Sequence, residues 1–426
     1  MTFDLQRSVR TAAPLILSLA FLVSPSSAQV LPRGVGWADI SRPEFDPIGI
    51  RAGSFDVYPK LQAVAEYNSN VFARAEDVRA DAVLTIRPEI EANSTWSVHR
   101  LDFSAFIESS FYPSIDDEGH TDVGLRTSGA YEISGATVLS AEAGYAYIHE
   151  DRGDIDTAFT VDGPIGLDRI DASLGLTHRF NKLQVGIRGG YDRFNYDDGL
   201  LADATVVDQD FRDRTQMSAQ ATARYALSPE FGFYVSAGYK DVDNDFSRSS
   251  GDFIEGLDLE RDFDEINTDA GIAVEITDVL YATLGVGYFT ARFDDPLFDN
   301  ENGLRVRGDL LWNISSITTI RADVARETQA ASSPIAPIRV NTSIDLGVDH
   351  ELLYNLILTA DARYQIRDFD PIDRTDDEYR FGLSGLYLLS NLARVRFAYV
   401  FERRDSPIAV FDYTRHRVSL TAELTY

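Results

Sequence analysis

The 426-residue sequence has no cysteine, only two methionines and far fewer basic than acidic residues. Without cysteine it cannot form disulfides, cysteine-ligated zinc sites, iron–sulfur clusters or a thiol nucleophile. Its 39 Lys and Arg against 68 Asp and Glu give a formal net charge of −29. Because phosphate contacts need clustered basic side chains, this balance disfavours a nucleic-acid partner.

The chain also lacks an apolar run long enough to span a bilayer as a helix. Its most apolar stretch, residues 12–23, follows Arg7 and Arg10 and precedes the small residues 24–28. This three-part pattern is typical of a secretory signal peptide, so residues 1–28 are expected to be cleaved off. A short buried N-terminal helix is the alternative. An exported chain of this kind stays in the periplasm, leaves the cell or enters the outer membrane as a β-barrel.

Apolar and polar side chains alternate from residue 54 to the end of the chain. Between Ile338 and Val348 most even positions are apolar, whereas the odd positions hold Arg339, Asn341 and Asp345. A period of two indicates β-strands whose opposite faces meet different surroundings. A soluble β-sandwich produces the same period, so alternation alone leaves both folds open.

The connections between the predicted strands alternate in length. Turns such as residues 134–135 and 181–182 are tight, whereas residues 150–166 and 367–377 are long and polar. Outer-membrane barrels sort their connections in this way, and a sandwich has no reason to do so. We therefore predict an all-β protein in which residues 54–426 form a transmembrane antiparallel β-barrel. It has about 18 strands, or 16 as the alternative, with short periplasmic turns and long acidic extracellular loops.

The last predicted strand ends in apolar residues at every second position. They are Val418, Leu420, Leu424 and the terminal Tyr426. This pattern resembles the signal that outer-membrane barrels present to the barrel-insertion machinery. Tyrosines near strand ends, such as Tyr67 and Tyr131, suit the aromatic girdles of such barrels. Outer-membrane lipid and lipopolysaccharide are the expected surroundings.

Four N-terminal segments carry distinctive motifs: SRPEFDPIGIRAGSF at 41–55, YNSNVF at 67–72, IRPEI at 86–90 and NSTWS at 93–97. Together they resemble the start of the β-barrel porin 2 family. They are specific through about residue 100, although a barrel of this kind would cover the whole mature chain. The resemblance implies an outer-membrane location and a barrel fold, and it brings no catalytic residues. Because relatives lie beside exopolysaccharide-export genes, it also implies polysaccharide passage and export components as partners.

A closed barrel of about 18 strands leaves a water-filled lumen, so polar side chains on the inward face become candidate pore-lining residues. They are Arg305, Arg307, Arg339, Arg363, Arg394, Arg396, Arg417, Asp309, Asp345 and Glu423. The alternative is that these charges only face water and pair across neighbouring strands. Residues 29–53 contain three prolines and no alternation, which indicates an irregular segment that either lies in the periplasm or plugs the pore.

Neither an enzyme nor a metal site is predicted. The six histidines show no paired metal spacing, and no G-x-S-x-G motif is present. The acidic stretch 241–245 imitates the start of a calcium loop, but Phe246 stands where that loop needs glycine. We expect no cofactor. The predicted function is a porin-like channel, possible substrates being exopolysaccharide or other saccharides; the alternative is a structural or adhesive barrel with a blocked lumen.

Overall fold

The computed structural model describes most of the chain after residue 40. The described residues are 36, 38, 40–153, 161–201, 203, 205–245, 260–276, 279–331, 333, 336–370 and 372–426. The predicted signal peptide lies outside them, as does the beginning of the irregular segment 29–53. Among the described residues, no helix is both long and apolar enough to cross a membrane.

The described chain is almost entirely β-strand. The strands are β1 (Ile50–Ala52), β2 (Phe55–Asn68), β3 (Asp81–Ser94), β4 (Arg100–Phe111), β5 (His120–Ser134), β6 (Thr137–His149), β7 (Gly166–Phe180), β8 (Leu183–Tyr196), β9 (Gly199–Leu200), β10 (Val206–Val207), β11 (Arg214–Ala226), β12 (Phe231–Asn244), β13 (Phe263–Ile276), β14 (Leu280–Phe293), β15 (Glu301–Ser315), β16 (Thr318–Ala330), β17 (Ile338–Leu353), β18 (Leu356–Asp370), β19 (Arg374–Leu388), β20 (Ala393–Asp405) and β21 (Tyr413–Thr425).

The long strands close into an 18-stranded antiparallel barrel. Each long strand pairs with the next along the chain, and β8 pairs directly with β11 across the short β9–β10 ribbon. The barrel closes where β2 pairs with β21, from Lys60 opposite Thr425 to Asn68 opposite Arg417. Closure pairs every edge, which is the condition for β-structure to cross a bilayer.

The alternation seen in the sequence separates a lipid face from a luminal face. On β17, Leu346 and Val348 are exposed on the outer surface, whereas Asp349, which follows Val348, is buried toward the lumen. The predicted insertion signal lies on the outer face as well: Val418, Leu420, Leu424 and Tyr426 are all exposed. Lipid solvates these apolar side chains where water would not.

Exposed aromatic side chains encircle both ends of the barrel. Near the long loops they are Tyr67, Phe111, Tyr191, Tyr239 and Tyr288, and near the tight turns they are Tyr131, Phe180, Tyr225, Phe233, Trp312 and Tyr387. Aromatic rings with a polar tip are favoured where the hydrocarbon meets the headgroups. The two girdles therefore mark the two membrane interfaces.

The predicted sorting of the connections is confirmed, with one correction. Tight turns such as 316–317 and 354–355 lie at one end, and the long loops lie at the other. The predicted loop 367–377 is wrong, since β18 continues to Asp370 and β19 begins at Arg374. These strand ends extend beyond the hydrocarbon layer of the membrane. Residues such as Asp368 and Thr375, which pair with each other there, can therefore be polar on both faces of the sheet.

Most of the buried apolar side chains lie at the long-loop end, because the loops fold inward over the mouth of the barrel. One cluster consists of Val161, Ile165, Leu167 and Tyr196, and a second consists of Val242, Phe263, Ala291 and Ile338. The second cluster shows that the top of the β16–β17 hairpin bends inward and packs on the luminal face of β12–β14. The mouth is thus narrowed by packed structure.

Candidate functional site: the lumen and its mouth

A cavity of about 620 Å³ lies inside the barrel and is lined by strands from both of its halves. Four of the predicted pore-lining residues line it: Arg305, Arg307, Arg339 and Arg417. Inward-facing charged and amide side chains on neighbouring strands also line it, including Glu89, Glu142, Arg188 and Gln220. The volume suits a small polar molecule.

The other six candidates do not line this cavity. Arg363 pairs with Asp345, and Arg394 lies 3.7 Å from Glu423 near the turn end of the barrel. Asp309 stands opposite Asp323 in the ladder of β15 and β16. Arg396 alternates with the exposed Phe397 on β20 and so shares the inward face of Arg394.

Ion pairs organise the luminal wall on the side of β12 to β15. Glu265 is almost fully buried and lies 2.9 Å from the Lys240 Nζ and 3.4 Å from the Arg305 guanidinium. Arg305 also lies 3.2 Å from Asp269. Since these strands are neighbours, the pairing follows from the register, and it holds Arg305 at the cavity surface.

Arginine side chains cover several aromatic rings that face the lumen. The guanidinium carbon of Arg87 lies 3.9 Å from the ring centre of Phe106, and that of Arg214 lies 4.2 Å from Phe194. Cation–π contacts of this kind occupy the ring face that a sugar would otherwise stack on. Recognition at these positions therefore falls to guanidinium, carboxylate and amide groups.

Residues 150–153, here termed the strap, follow β6 and extend over the mouth of the barrel to β20 and β21. Glu150 pairs with the fully buried Arg212 of another loop. Arg152 pairs with Glu118, whose Oε2 accepts the Arg152 Nε at 3.1 Å. Three strap residues also line the cavity, so the strap forms part of its roof.

The strap reaches β20 and β21 through Asp151 and Gly153. The Arg415 Nη1 donates to the Asp151 carboxylate at 2.8 Å, and Arg404 donates to the Gly153 carbonyl. The Gly153 amide donates to the same Asp151 oxygen at 2.7 Å. Burial alone raises the pKa of Asp151, but Arg415 and Arg417 outweigh it and hold that pKa well below its usual range.

The sequence analysis named Arg417 in this region but missed Arg404, Arg415 and Glu402. Both Arg415 and Arg417 donate to Glu402 at 2.8 Å. The signal was present, because all three missed residues share the inward parity of candidates already chosen on β20 and β21. No such parity marks Arg212, which lies in a loop.

The described part of the irregular segment lies at the turn end of the barrel. Arg42 is almost fully buried and pairs with Glu351 of β17 at 2.7 Å. The Phe45 ring lies 5.9 Å from Tyr354, and the Phe45 carbonyl accepts from Arg394 at 3.5 Å. The segment therefore packs against the periplasmic ends of β17 and β20.

A group of three carboxylates is the candidate metal ligand set found among the described residues. The carboxylate oxygens of Asp198, Asp208 and Asp210 lie within 4.8 Å of one another, and all three side chains are exposed. Exposed loop carboxylates gather without an ion in an acidic protein, so the group adds nothing to the lumen.

A closed transmembrane barrel with a polar cavity agrees with the comparison with known families. The model of the family described as "Putative beta-barrel porin 2" matches residues 42–426. The chain belongs to this family. It is therefore a porin-like β-barrel of the outer membrane, as the N-terminal motifs predicted.

Solved structures with a similar fold come from Pseudomonas aeruginosa. OpdK with vanillate is 12% identical over 87% of this chain and 99% of its own, with a TM-score of 0.45. OccK2 (OpdF) in complex with glucuronate is 11% identical over 87% and 96%, with a TM-score of 0.46. The ferric enterobactin receptor is 10% identical over 88% and 82%, with a TM-score of 0.48. Among curated proteins, none matches significantly.

Proposed function

We propose that this porin is a diffusion channel for small saccharides and has no enzymatic activity. The observation that carries the proposal is the cavity of about 620 Å³ inside a closed barrel, into which charged and amide side chains from both halves project. Such a wall offers hydrogen-bond donors and acceptors to hydroxyl groups at many heights. Charged side chains that line a pore influence which solutes pass through it.

The size of the cavity favours short saccharides over a polymer. A volume of about 620 Å³ falls within the range of sites for small molecules. A polysaccharide chain would have to pass the strap and the inward-folded β16–β17 hairpin, which both narrow the mouth. Export of exopolysaccharide, with export components as partners, therefore requires these elements to move.

Conductance of the mature protein in planar bilayers, paired with swelling of proteoliposomes, tests the proposal. We expect discrete current steps in potassium chloride and swelling in galactose that exceeds swelling in a long dextran. Liposomes with the same protein in unfolded form are the control. The absence of both current and swelling from correctly folded, inserted protein would contradict the channel.

A structural or adhesive barrel is the second candidate, and the inward folding of the loops favours it. The strap, the β16–β17 hairpin and Arg42 together place packed side chains at both ends of the lumen. On this alternative, deletion of residues 29–49 leaves the barrel silent in a bilayer. A current that appears after this deletion supports the channel and identifies the segment as its plug.

A further inference from the structure

We propose that Arg415 and Arg417 form a carboxylate-binding site on the inner wall of the barrel, which Asp151 of the strap occupies as an internal substitute for an acidic sugar. The inference rests on the proposed saccharide channel and names the class of saccharide: one that bears a carboxylate. The site comprises these arginines, their neighbour Arg380 and the shared acceptor Glu402.

The site is built of buried charged groups. The side chains of Arg415 and Arg417 are 4% and 6% exposed, and that of Glu402 is 10% exposed. Glu402 lies 2.8 Å from both of these arginines and 3.8 Å from Arg380. Hydrogen bonds between ionised partners in such surroundings are strong and set the geometry of the arginines before a ligand arrives.

Asp151 supplies a carboxylate that the charge balance of the site requires. Three guanidinium groups approach Glu402, Asp151 pairs with one of them, and Asp361 interacts with Arg380. The Nε of Arg417 is buried and makes no hydrogen bond. Removing the Asp151 carboxylate therefore leaves buried positive charge that a carboxylate from the lumen would neutralise.

Asp151 belongs to a loop and is not part of the wall it contacts. It lies two residues beyond the end of β6, whereas Arg415 is on β21, and β2 to β5 separate these strands around the barrel. Its carboxylate thus approaches the arginines from the lumen, the side from which a solute arrives. The cavity touches Asp151, Arg415 and Arg417, so a solute in the cavity reaches the same groups.

Competition follows from this arrangement. An acidic sugar that binds Arg415 has to displace Asp151, and displacement breaks the ion pair between the strap and β21, while the Arg404 hydrogen bond to the Gly153 carbonyl still joins the strap to β20. A neutral sugar has no group that replaces the lost ion pair. Passage of acidic saccharides is then coupled to the release of Asp151 from Arg415, while neutral saccharides meet this ion pair intact.

Calorimetric titration of the mature protein in detergent tests the site directly. The probes are sodium D-galacturonate and, as the neutral control, D-galactose. We expect galacturonate to bind Asp151→Asn at least tenfold more tightly than the wild type, because the internal competitor is gone. Asp151→Glu keeps the carboxylate and should behave like the wild type, and so should Asp162→Asn, which removes an exposed carboxylate farther along the same loop. Galactose should bind none of them.

The arginines are tested in the Asp151→Asn background. Arg415→Gln should abolish the gain in galacturonate affinity, and Arg415→Lys should retain part of it. Equal galacturonate affinity in the wild type and Asp151→Asn would overturn the proposal. So would an unchanged affinity after Arg415→Gln in protein that remains folded, and Asp151→Asn alone keeps the test decisive if the arginine variants do not fold.

Bilayer currents separate this inference from the proposed function. If both proteins conduct potassium chloride but galacturonate binds neither, the carboxylate site is wrong and the channel stands. If galacturonate binds as expected but neither protein conducts, the channel is wrong and the site stands. The combined expectation is a basal current through Asp151→Asn that is several-fold larger than that of the wild type.

Discussion

At the scale of single residues, most charges in the lumen are held by a partner of opposite sign on a neighbouring strand or loop. Arg363 with Asp345 and Arg394 with Glu423 are examples. These pairs form because the antiparallel register places the inward-facing residues of adjacent strands at the same level along the barrel axis, within reach of each other. A luminal arginine therefore contributes to selectivity through the local sum of charges and not as an isolated cation.

Charge reversal near the periplasmic opening is expected to change ion selectivity. Arg394 and Arg396 both face inward near the start of β20. The double variant Arg394→Glu with Arg396→Glu therefore changes the formal charge of the lumen wall by −4. The reversal potential in a potassium chloride gradient should shift toward cation preference. Arg403→Glu, on the exposed outer surface of the same strand, is the matched control and should leave the potential unchanged. An equal shift in both variants would mean that Arg394 and Arg396 do not line the ion path.

Asp213 makes the packing of its loop dependent on pH. Burial raises its pKa to about 6, although the Tyr196 amide donates to its carboxylate at 2.7 Å and opposes the rise. Its ordinary value is 3.8. Because the folded value is higher, protonation favours the packed loop, and this contribution is complete below about pH 4 and lost as the pH rises through about 6.

Hydrogen exchange of the Arg212 amide measures this effect. That amide donates to the Gln209 carbonyl within the same loop. After correction for the intrinsic rate, its protection should be at least tenfold greater at pH 4 than at pH 7, since each pKa unit corresponds to a factor of ten. The difference should disappear in Asp213→Asn. An equal pH dependence in both proteins would assign it to another group.

At the scale of elements, a buried ion pair between Arg42 and Glu351 joins the described part of the segment before the barrel to β17. The Arg42 guanidinium also donates to the carbonyls of Ala38 at 3.2 Å and Ile40 at 3.0 Å, so the segment curls around its own side chain. Breaking one partner of a buried pair costs about 3–5 kcal/mol, whereas replacing both partners costs less. The pair with Glu351 therefore decides whether the segment stays at the opening.

Thiol labelling can follow this attachment because the chain has no cysteine of its own. In Phe45→Cys, alkylation of the new thiol should be at least tenfold faster when Arg42→Glu is added, because the glutamate at position 42 then repels Glu351. The swap Arg42→Glu with Glu351→Arg should restore slow labelling. Failure of the swap to restore it would show that the surrounding backbone contacts hold the segment.

At the scale of the whole molecule, the barrel reverses the usual arrangement of a soluble protein. Its outer face is apolar and its interior is polar, while its densest apolar packing lies at the mouth, where loops fold inward. Lipid replaces the core as the apolar environment of the strands. The mean hydropathy of only −0.17 is the average over these two environments.

Arginine placed on the two faces of one strand should distinguish these environments. Leu420 is exposed to lipid in the middle of β21, and its neighbour Ser419 faces the lumen. Leu420→Arg should lower the free energy of unfolding in lipid by about 2–4 kcal/mol, whereas Ser419→Arg should change it little. Equal costs, measured by denaturant titration in liposomes, would contradict the assignment of faces.

The sequence by itself determined the barrel, because a period of two and sorted connection lengths depend only on local order along the chain. It placed Arg305, Arg307, Arg339 and Arg417 on the inward face for the same reason. Only the tertiary structure decided that residues 150–153 cross the lumen to Arg415 and that Arg42 pairs with Glu351. These contacts join residues 264 and 309 positions apart through loops, whose paths follow no periodic rule.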